Sequence, residues 1–328
     1  MARTPLLRVL RLLAPGLVTW PAIALAQPQQ PQLLSQFQAH DLKGEAIVQV
    51  ACARQSPRFA TVTSDGTAKL WADSNTLLNS YVPENRDMLF NGRFLNRDET
   101  GFAVAAYNGY ATVWTSPTAK PLLLGPHLSG VTDIEQLPSG AGYVTSSDDG
   151  FIRFWSANGT LLKRIDRPGV NRHLALSAPL NLVAATQDIG SVSLFSPDGS
   201  LLTTVQTGQG RLNDVVFSAE QPLMLTAGFD GTVKVWTVGA GARSVTLLRT
   251  FAAQPGAGWV EGLAINRDGL VAVVSDDGNL RFWNLKGEPL GRLNLSQSHH
   301  LMSVCFSADQ SRVRTLAQDG TLSTVRIP

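Results

Sequence analysis

The sequence predicts an all-β fold, a closed ring of seven four-stranded antiparallel sheets. Three observations predict it. A glycine recurs at Gly66, Gly109, Gly150, Gly190, Gly231, Gly278 and Gly320, at steps of 40 to 47 residues. Five residues after each glycine stands a large apolar residue: Trp71, Trp114, Trp155, Phe195, Trp236 and Trp283, with Val325 in the seventh copy. Each copy divides into short apolar or alternating runs separated by turn residues, and no segment of helical period competes with them. Four strands in 40 to 45 residues is the period of a propeller blade, so the expected architecture is a seven-bladed β-propeller.

In chain order, residues 1–26 come first. Arg3, Arg8 and Arg11 precede an apolar run that ends in Ala24-Leu25-Ala26. Basic, then apolar, then small residues is the layout of a secretory signal peptide. The run of about 15 residues is short for a bilayer span of roughly 20, and no later stretch is long enough to cross a membrane. Without the leader, 24 basic residues face 25 acidic ones, a net charge of −1. The formal +2 of the whole chain is therefore targeting charge, and a nucleic-acid partner is not expected. Residues 27–32 are only Gln and Pro, a composition that buries nothing and reads as an extended linker.

The ring itself is expected over residues 33–328. Leu33-Leu34-Ser35-Gln36-Phe37 has the pattern of the last strand of a blade, and the seventh copy ends at Pro328 without one. Residues 33–37 are expected to pair with 321–327, which closes the ring and removes an exposed edge. Within a blade the fifth copy is the clearest example. Val215-Val216-Phe217 and Leu223–Ala227 are two apolar runs. Asp230-Gly231 then turns the chain into the alternating Val233-Lys234-Val235-Trp236. Asp-Gly between such runs is a hairpin signal because glycine accepts positive φ. A lone four-stranded sheet buries one face well, so blades must stack, and the large third-strand residue wedges between neighbours.

These residues resemble the WD-repeat β-propeller family over about 33–328. The closest matches are the run ending at Trp71 and Asp230–Trp236. The resemblance implies turn aspartates at Asp65, Asp149, Asp230, Asp277 and Asp319, each in a buried network with a loop histidine, a strand Ser or Thr, and the tryptophan. Asn108 and Ile189 replace the aspartate in blades 2 and 4. Loop histidines are available at His40, His127 and His299. The aspartate that should follow each tryptophan is absent, with Ala72, Thr115, Ser156, Thr237 and Asn284 in its place. The repeats are degenerate, and the network is expected to be complete in few blades.

Candidates for chemistry are sparse. Cys52 and Cys305 fall on the first strands of blades 1 and 7, with side chains on opposite sheet faces, and a disulfide across the closure is possible in an exported protein. His299-His300 reads as a loop, and Asp148-Asp149 and Asp276-Asp277 as turn residues. Lys69, Arg153, Lys234 and Arg281 read as strand residues with solvated heads. No metal or cofactor is expected. The resemblance implies protein binding on the face that bears the turn-aspartate loops. Trp259, Arg211, Tyr107, Phe229, His300 and Arg172 fall there, a composition typical of binding hot spots. The expected function is that of an exported, monomeric scaffold for a protein or peptide, without catalysis. The alternative is a propeller enzyme or small-ligand or metal binder whose channel uses Asp133, Glu135, Asp214 and Glu261.

Overall fold

A computed structural model describes residues 30–42, 46, 48–84, 86–96, 98–167, 169–253 and 258–328. The expected leader over 1–26 and linker residues 27–29 lie outside these residues. The strands form seven sheets of four, each ordered from an innermost to an outer strand. Blade 1, for example, comprises Val48–Cys52, Arg58–Thr63, Thr67–Ala72 and Leu77–Tyr81. The other innermost strands are Leu89–Leu95, Val131–Gln136, Asn171–Ser177, Leu212–Phe217, Val260–Ile265 and Leu301–Phe306. Each innermost strand contacts those of both neighbouring blades, and the last contacts the first. The ring is closed.

Closure uses the N-terminal strand, as expected. Gln32–Gln38 pairs antiparallel with Thr321–Arg326, with Phe37 opposite Leu322, and so completes blade 7. The expected linker differs at two residues, since Gln32 already belongs to this strand and Pro31 packs against a blade. Pro31 is buried, and a Cβ added at Gly291 on blade 6 would stand 2.6 Å from its Cδ. The pyrrolidine ring is apolar enough to pack where a glycine leaves room.

The core lies between blades rather than in a single centre. Val62 and Leu70 of blade 1 pack with Leu89, Phe102 and Trp114 of blade 2, and equivalent clusters fill the other boundaries. Each large side chain buried in this way stabilises the ring by roughly 1.5–3 kcal/mol. The seven turn glycines all have φ between 72° and 85°, a region that a Cβ disfavours.

Three blades carry the bonds from tryptophan through threonine to a loop residue, and in blade 1 the turn aspartate reaches the histidine as well, Asp65 lying 3.6 Å from His40. In blade 1, Trp71 Nε1 donates to Thr61 Oγ1 at 2.9 Å, and His40 Nε2 lies 2.8 Å from the same oxygen. Blade 3 repeats this with Trp155, Thr145 and His127. In blade 5 a glutamine replaces the histidine: Thr226 donates to Gln209 Oε1 at 2.5 Å and accepts from Trp236 Nε1 at 3.0 Å. Blade 6 has Val273 at the threonine position, and Trp283 Nε1 has no partner. Blade 7 has the reverse defect, with Thr315 Oγ1 unpartnered because Val325 replaces the tryptophan.

The four strand cations are not solvated heads, which corrects the sequence reading. Arg153 and Arg281 are buried and pair with the turn aspartates Asp149 and Asp277 four residues earlier. Lys69 Nζ donates to the Ala39 carbonyl at 2.8 Å, and Lys234 Nζ to that of Thr207 at 2.5 Å. In each case the cation satisfies a turn or loop at its own blade's end, an acceptor that strand alternation alone does not reveal.

The boundary between blades 7 and 1 is held most heavily. Cys52 and Cys305 form a disulfide with Cα atoms 5.6 Å apart. Asp73 of blade 1 accepts from Arg312 Nη1 at 2.6 Å and from Arg314 Nη2. The Arg314 guanidinium, almost fully buried, also lies 4.4 Å from the centre of the Phe59 ring.

Candidate partner-binding face at the channel mouth

Six of the seven innermost strands carry a register shift near their first residue, and only blade 1 lacks it. The bulge places Phe90, Thr132, Asn213, Glu261 and Met302 outside regular pairing, together with Arg172 and His173 in blade 4. A bulge leaves backbone groups free and re-aims side chains, and both consequences matter here.

The freed backbone groups join the blades. Thr132 Oγ1 donates to the Asn171 carbonyl of the next blade at 2.6 Å, while Asp133 Oδ2 accepts the Leu174 amide at 2.9 Å. Blade 5 grips blade 6 in the same way: Asn213 Nδ2 donates to the Val260 carbonyl, and Asp214 Oδ2 accepts the Leu263 amide, both at 2.9 Å. The other carboxylate oxygen of each aspartate accepts the amide of its own following residue at 2.8 Å. Asp133 and Asp214 are thus engaged at both oxygens by backbone.

Arg93 of blade 2 completes this inner cluster. It donates to Asp133 and Glu135 at 2.9 Å and to Asn91 at 2.6 Å. Burial raises the Asp133 carboxyl, opposed by Arg93, Leu174 and Ile134. With three donors aimed at it, the ionised form is the one this geometry serves. Asp214 is pushed up to about 6 by burial, against the pull of the Leu263 amide and Arg93. His173 Nδ1 lies 3.7 Å from Asp133 Oδ2, yet burial and the cations Arg93, Arg172 and Arg211 hold it down at about 3, so it is neutral at physiological pH. Among the described residues no group of three His, Cys, Asp or Glu side chains is placed to hold a metal ion. The channel-facing carboxylates therefore read as a structural cluster built around one arginine.

Residues flanking these bulges lie at the mouth. Trp259, immediately before the blade 6 innermost strand, stacks on Phe229 with ring centres 4.6 Å apart and planes 13° from parallel. The Arg211 guanidinium lies 4.6 Å from the centre of the same Phe229 ring. Tyr107 packs edge-on against Phe90 at 6.0 Å in blade 2. Trp259 is 41% exposed and Tyr107 51%. Arg172, Arg211, Phe229 and His300 are half-buried. The glycine stretch before Trp259 lies partly outside the described residues, at Gly256 and Ala257.

Around these groups stand Asp148, Asp188, Glu261 and Asp276. Burial raises Asp148 and pushes Glu261 up to about 7, the latter helped by Asp276 and opposed by Arg211. Three of the expected turn aspartates have partners of their own outside the aromatic stack. Asp65 is held below the usual carboxylate range by His40, Thr63 and Thr67 despite burial. Asp230 caps its own turn through Thr232. Asp319 meets His299 at 3.6 Å, and His299 therefore ends at the turn aspartate and not at a strand threonine.

Sequence reasoning missed Gln209, Arg93 and Glu99. Gln209 had no histidine signal but occupies the loop position seventeen residues before Thr226, close to the spacing of His127 from Thr145. Arg93 and Glu135 share one register position on neighbouring innermost strands, which pairwise alignment of the copies could have found. Glu99 of blade 2 accepts the Gln55 and Ser56 amides of blade 1 at 2.9 and 3.0 Å, and it stands in an irregular loop without a periodic signal.

The same repeats are visible in comparison with known proteins. The model of the WD domain, G-beta repeat, matches residues 121–156, 203–237 and 245–284, each spanning the outer strand of one blade and the first three strands of the next, blades 3, 5 and 6. A WD repeat-containing protein of Synechocystis sp., described as uncharacterized, is 40% identical over 296 residues, covering 90% of this chain and 86% of that protein. The chain belongs to the WD-repeat family. A second WD repeat-containing protein of Synechocystis sp. is 38% identical over 72 residues, 22% of each chain. Cilia- and flagella-associated protein 43 of Chlamydomonas reinhardtii is 27% identical over 159 residues, 43% of this chain and 9% of that much longer one. WD-repeat propellers typically serve as scaffolds for protein interaction. No helix among the described residues is long and apolar enough to cross a membrane.

Proposed function

We propose that the protein is an exported, monomeric scaffold that docks a protein or peptide on the face around the channel mouth, and that it has no catalytic role. The observation that carries this reading is the stack of half-buried Arg211 and Phe229 under exposed Trp259. Two aromatic planes and a guanidinium at one rim supply large contact area with little side-chain entropy to lose, which is what binding hot spots require. Arg172, Tyr107 and His300 extend the surface around the mouth. Support against a catalytic channel comes from Asp133 and Asp214, whose oxygens are already committed to backbone amides.

Export is the companion part of the proposal. The basic, apolar and small-residue order of residues 1–26 supports it, as does a disulfide that needs an oxidising compartment. The test is affinity capture from the envelope fraction with wild type and with Trp259→Ala combined with Phe229→Ala. A partner held by wild type and lost from the double variant is expected. Equal recovery of every bound protein would refute the surface, and a cytoplasmic protein starting upstream of Gln27 would refute the export.

A further inference from the structure

Five arginines of the ring have clear tasks: Arg93, Arg153, Arg281, Arg312 and Arg314 each meet a carboxylate. Arg172 and Arg211 do not. They stand on neighbouring blades at the mouth, Arg172 in the blade 4 bulge and Arg211 just before the blade 5 innermost strand. Neither meets an ion-pair partner, and the Nε of each is buried without an acceptor. Burial has removed water from these two Nε donors and no acceptor replaces it, although the Arg211 guanidinium does rest on Phe229.

The geometry points to the Arg172–Arg211 pair as a carboxylate-binding subsite of the docking face, filled by an Asp or Glu of the partner, with the neighbouring apolar side chain of that partner seated on the Phe229–Trp259 stack. This rests on the docking face proposed above and names the chemistry of what docks there. A guanidinium takes a carboxylate through a planar, bidentate fork, and a second one nearby adds a further donor set. Burial and Arg172 lower the Arg211 pKa, opposed by Glu261, Asp188 and Asp148, none of which comes within ion-pair distance of it. The surrounding Asp148, Asp188, Glu261 and Asp276 favour one negative charge over the charge of nearly two that a phosphate brings. Of the three acids that act on Arg211, Glu261 and Asp148 are raised by burial, which weakens their competition for the guanidiniums.

The test uses the whole protein and three end-blocked peptides, Phe-Glu-Glu-Phe, Phe-Gln-Gln-Phe and the same peptide with two phosphoserines, followed by fluorescence anisotropy. Wild type is expected to bind the glutamate peptide about tenfold more tightly than the glutamine peptide, the step that one charge-assisted contact provides. The Arg172→Gln/Arg211→Gln variant is expected to bind the two alike, and Trp259→Ala to weaken both equally. No saturable binding of the glutamate peptide, equal binding of both by wild type, or a preference that survives in the double variant overturns the carboxylate assignment. A phosphoserine peptide bound more tightly than the glutamate one overturns it in favour of phosphate. Failure of the docking face itself is distinguishable, because Trp259→Ala then binds like wild type. If the double variant does not fold, Arg211→Gln alone and the wild-type preference still decide the matter.

Discussion

The Asp133 carboxylate in blade 3 accepts the Leu174 amide of blade 4 at 2.9 Å. It is fully buried, and it accepts Arg93 from blade 2 as well, so one side chain ties three consecutive blades. Replacing it with alanine leaves Arg93 and the Leu174 amide without their acceptor. Asp133→Ala is expected to cost about 3–5 kcal/mol, the penalty for removing one partner of a buried ion pair. Asp133→Asn, which keeps an amide acceptor, is expected to cost less. Urea unfolding of the two variants checks the order, and equal losses would contradict it.

The network threonines separate in the same kind of experiment. Thr61 serves both Trp71 and His40, so Thr61→Val leaves two buried polar groups unpaired and is expected to cost about 2–4 kcal/mol. Thr315 has no partner, so Thr315→Val removes only an unsatisfied hydroxyl and is expected to be neutral or stabilising. Melting temperatures of the two variants provide the check. A comparable drop in both would mean that blade 7 satisfies Thr315 in some other way.

Much of this was legible beforehand. The phase of Gly66 and Trp71 recurs because each blade needs a positive-φ turn and a wedge at fixed strand positions, and Phe37 announced the closure through its outer-strand pattern. The inter-blade bonds of Asp133 and Asp214 were not legible. They depend on bulges in the innermost strands, which break the alternation so that buried apolar residues stand three apart, as Val131 and Ile134 do, a spacing that a plain strand pattern does not interpret. Arg314 was missed for a different reason. Its acceptor, Asp73, lies 241 residues away and becomes a neighbour only when the ring closes.

Stability should also depend on pH in a definite direction at Glu261. Burial and Asp276 raise this carboxyl from 4.5 to about 7, against Arg211. The folded state therefore binds its proton more tightly than the unfolded chain does. The corresponding stability is full below the unfolded value and lost as pH rises through about 7. Asp214, raised to about 6, has the same sign. His127 and His173, lowered to about 4 and about 3, have the opposite one, with stability lost as pH falls below 6.5. Glu261→Gln removes one contribution and leaves the others. Its melting temperature relative to wild type is expected to be higher at about pH 8 than at about pH 5, and a constant difference would contradict the assignment.

The disulfide joins the two ends of the ring across a sequence separation of 253 residues. A loop of that length gives a large constraint on the unfolded chain, on the order of 3–5 kcal/mol. The protein with both cysteines changed to alanine, or the reduced wild type, is expected to unfold at a lower temperature while keeping its β spectrum, because the pairing of Gln32–Gln38 with Thr321–Arg326 remains. An unchanged melting temperature on reduction would mean that the bridge adds nothing to the closed ring.

The central claim, that the channel mouth is the docking face, is tested most directly by photocross-linking in the native organism. Benzoylphenylalanine is placed in turn at Tyr107, at Trp259 and at Leu162, an exposed residue on the outer strand of blade 3. One partner is expected to cross-link from Tyr107 and Trp259 and none from Leu162. Adducts from Leu162 with none from the other two positions would contradict it.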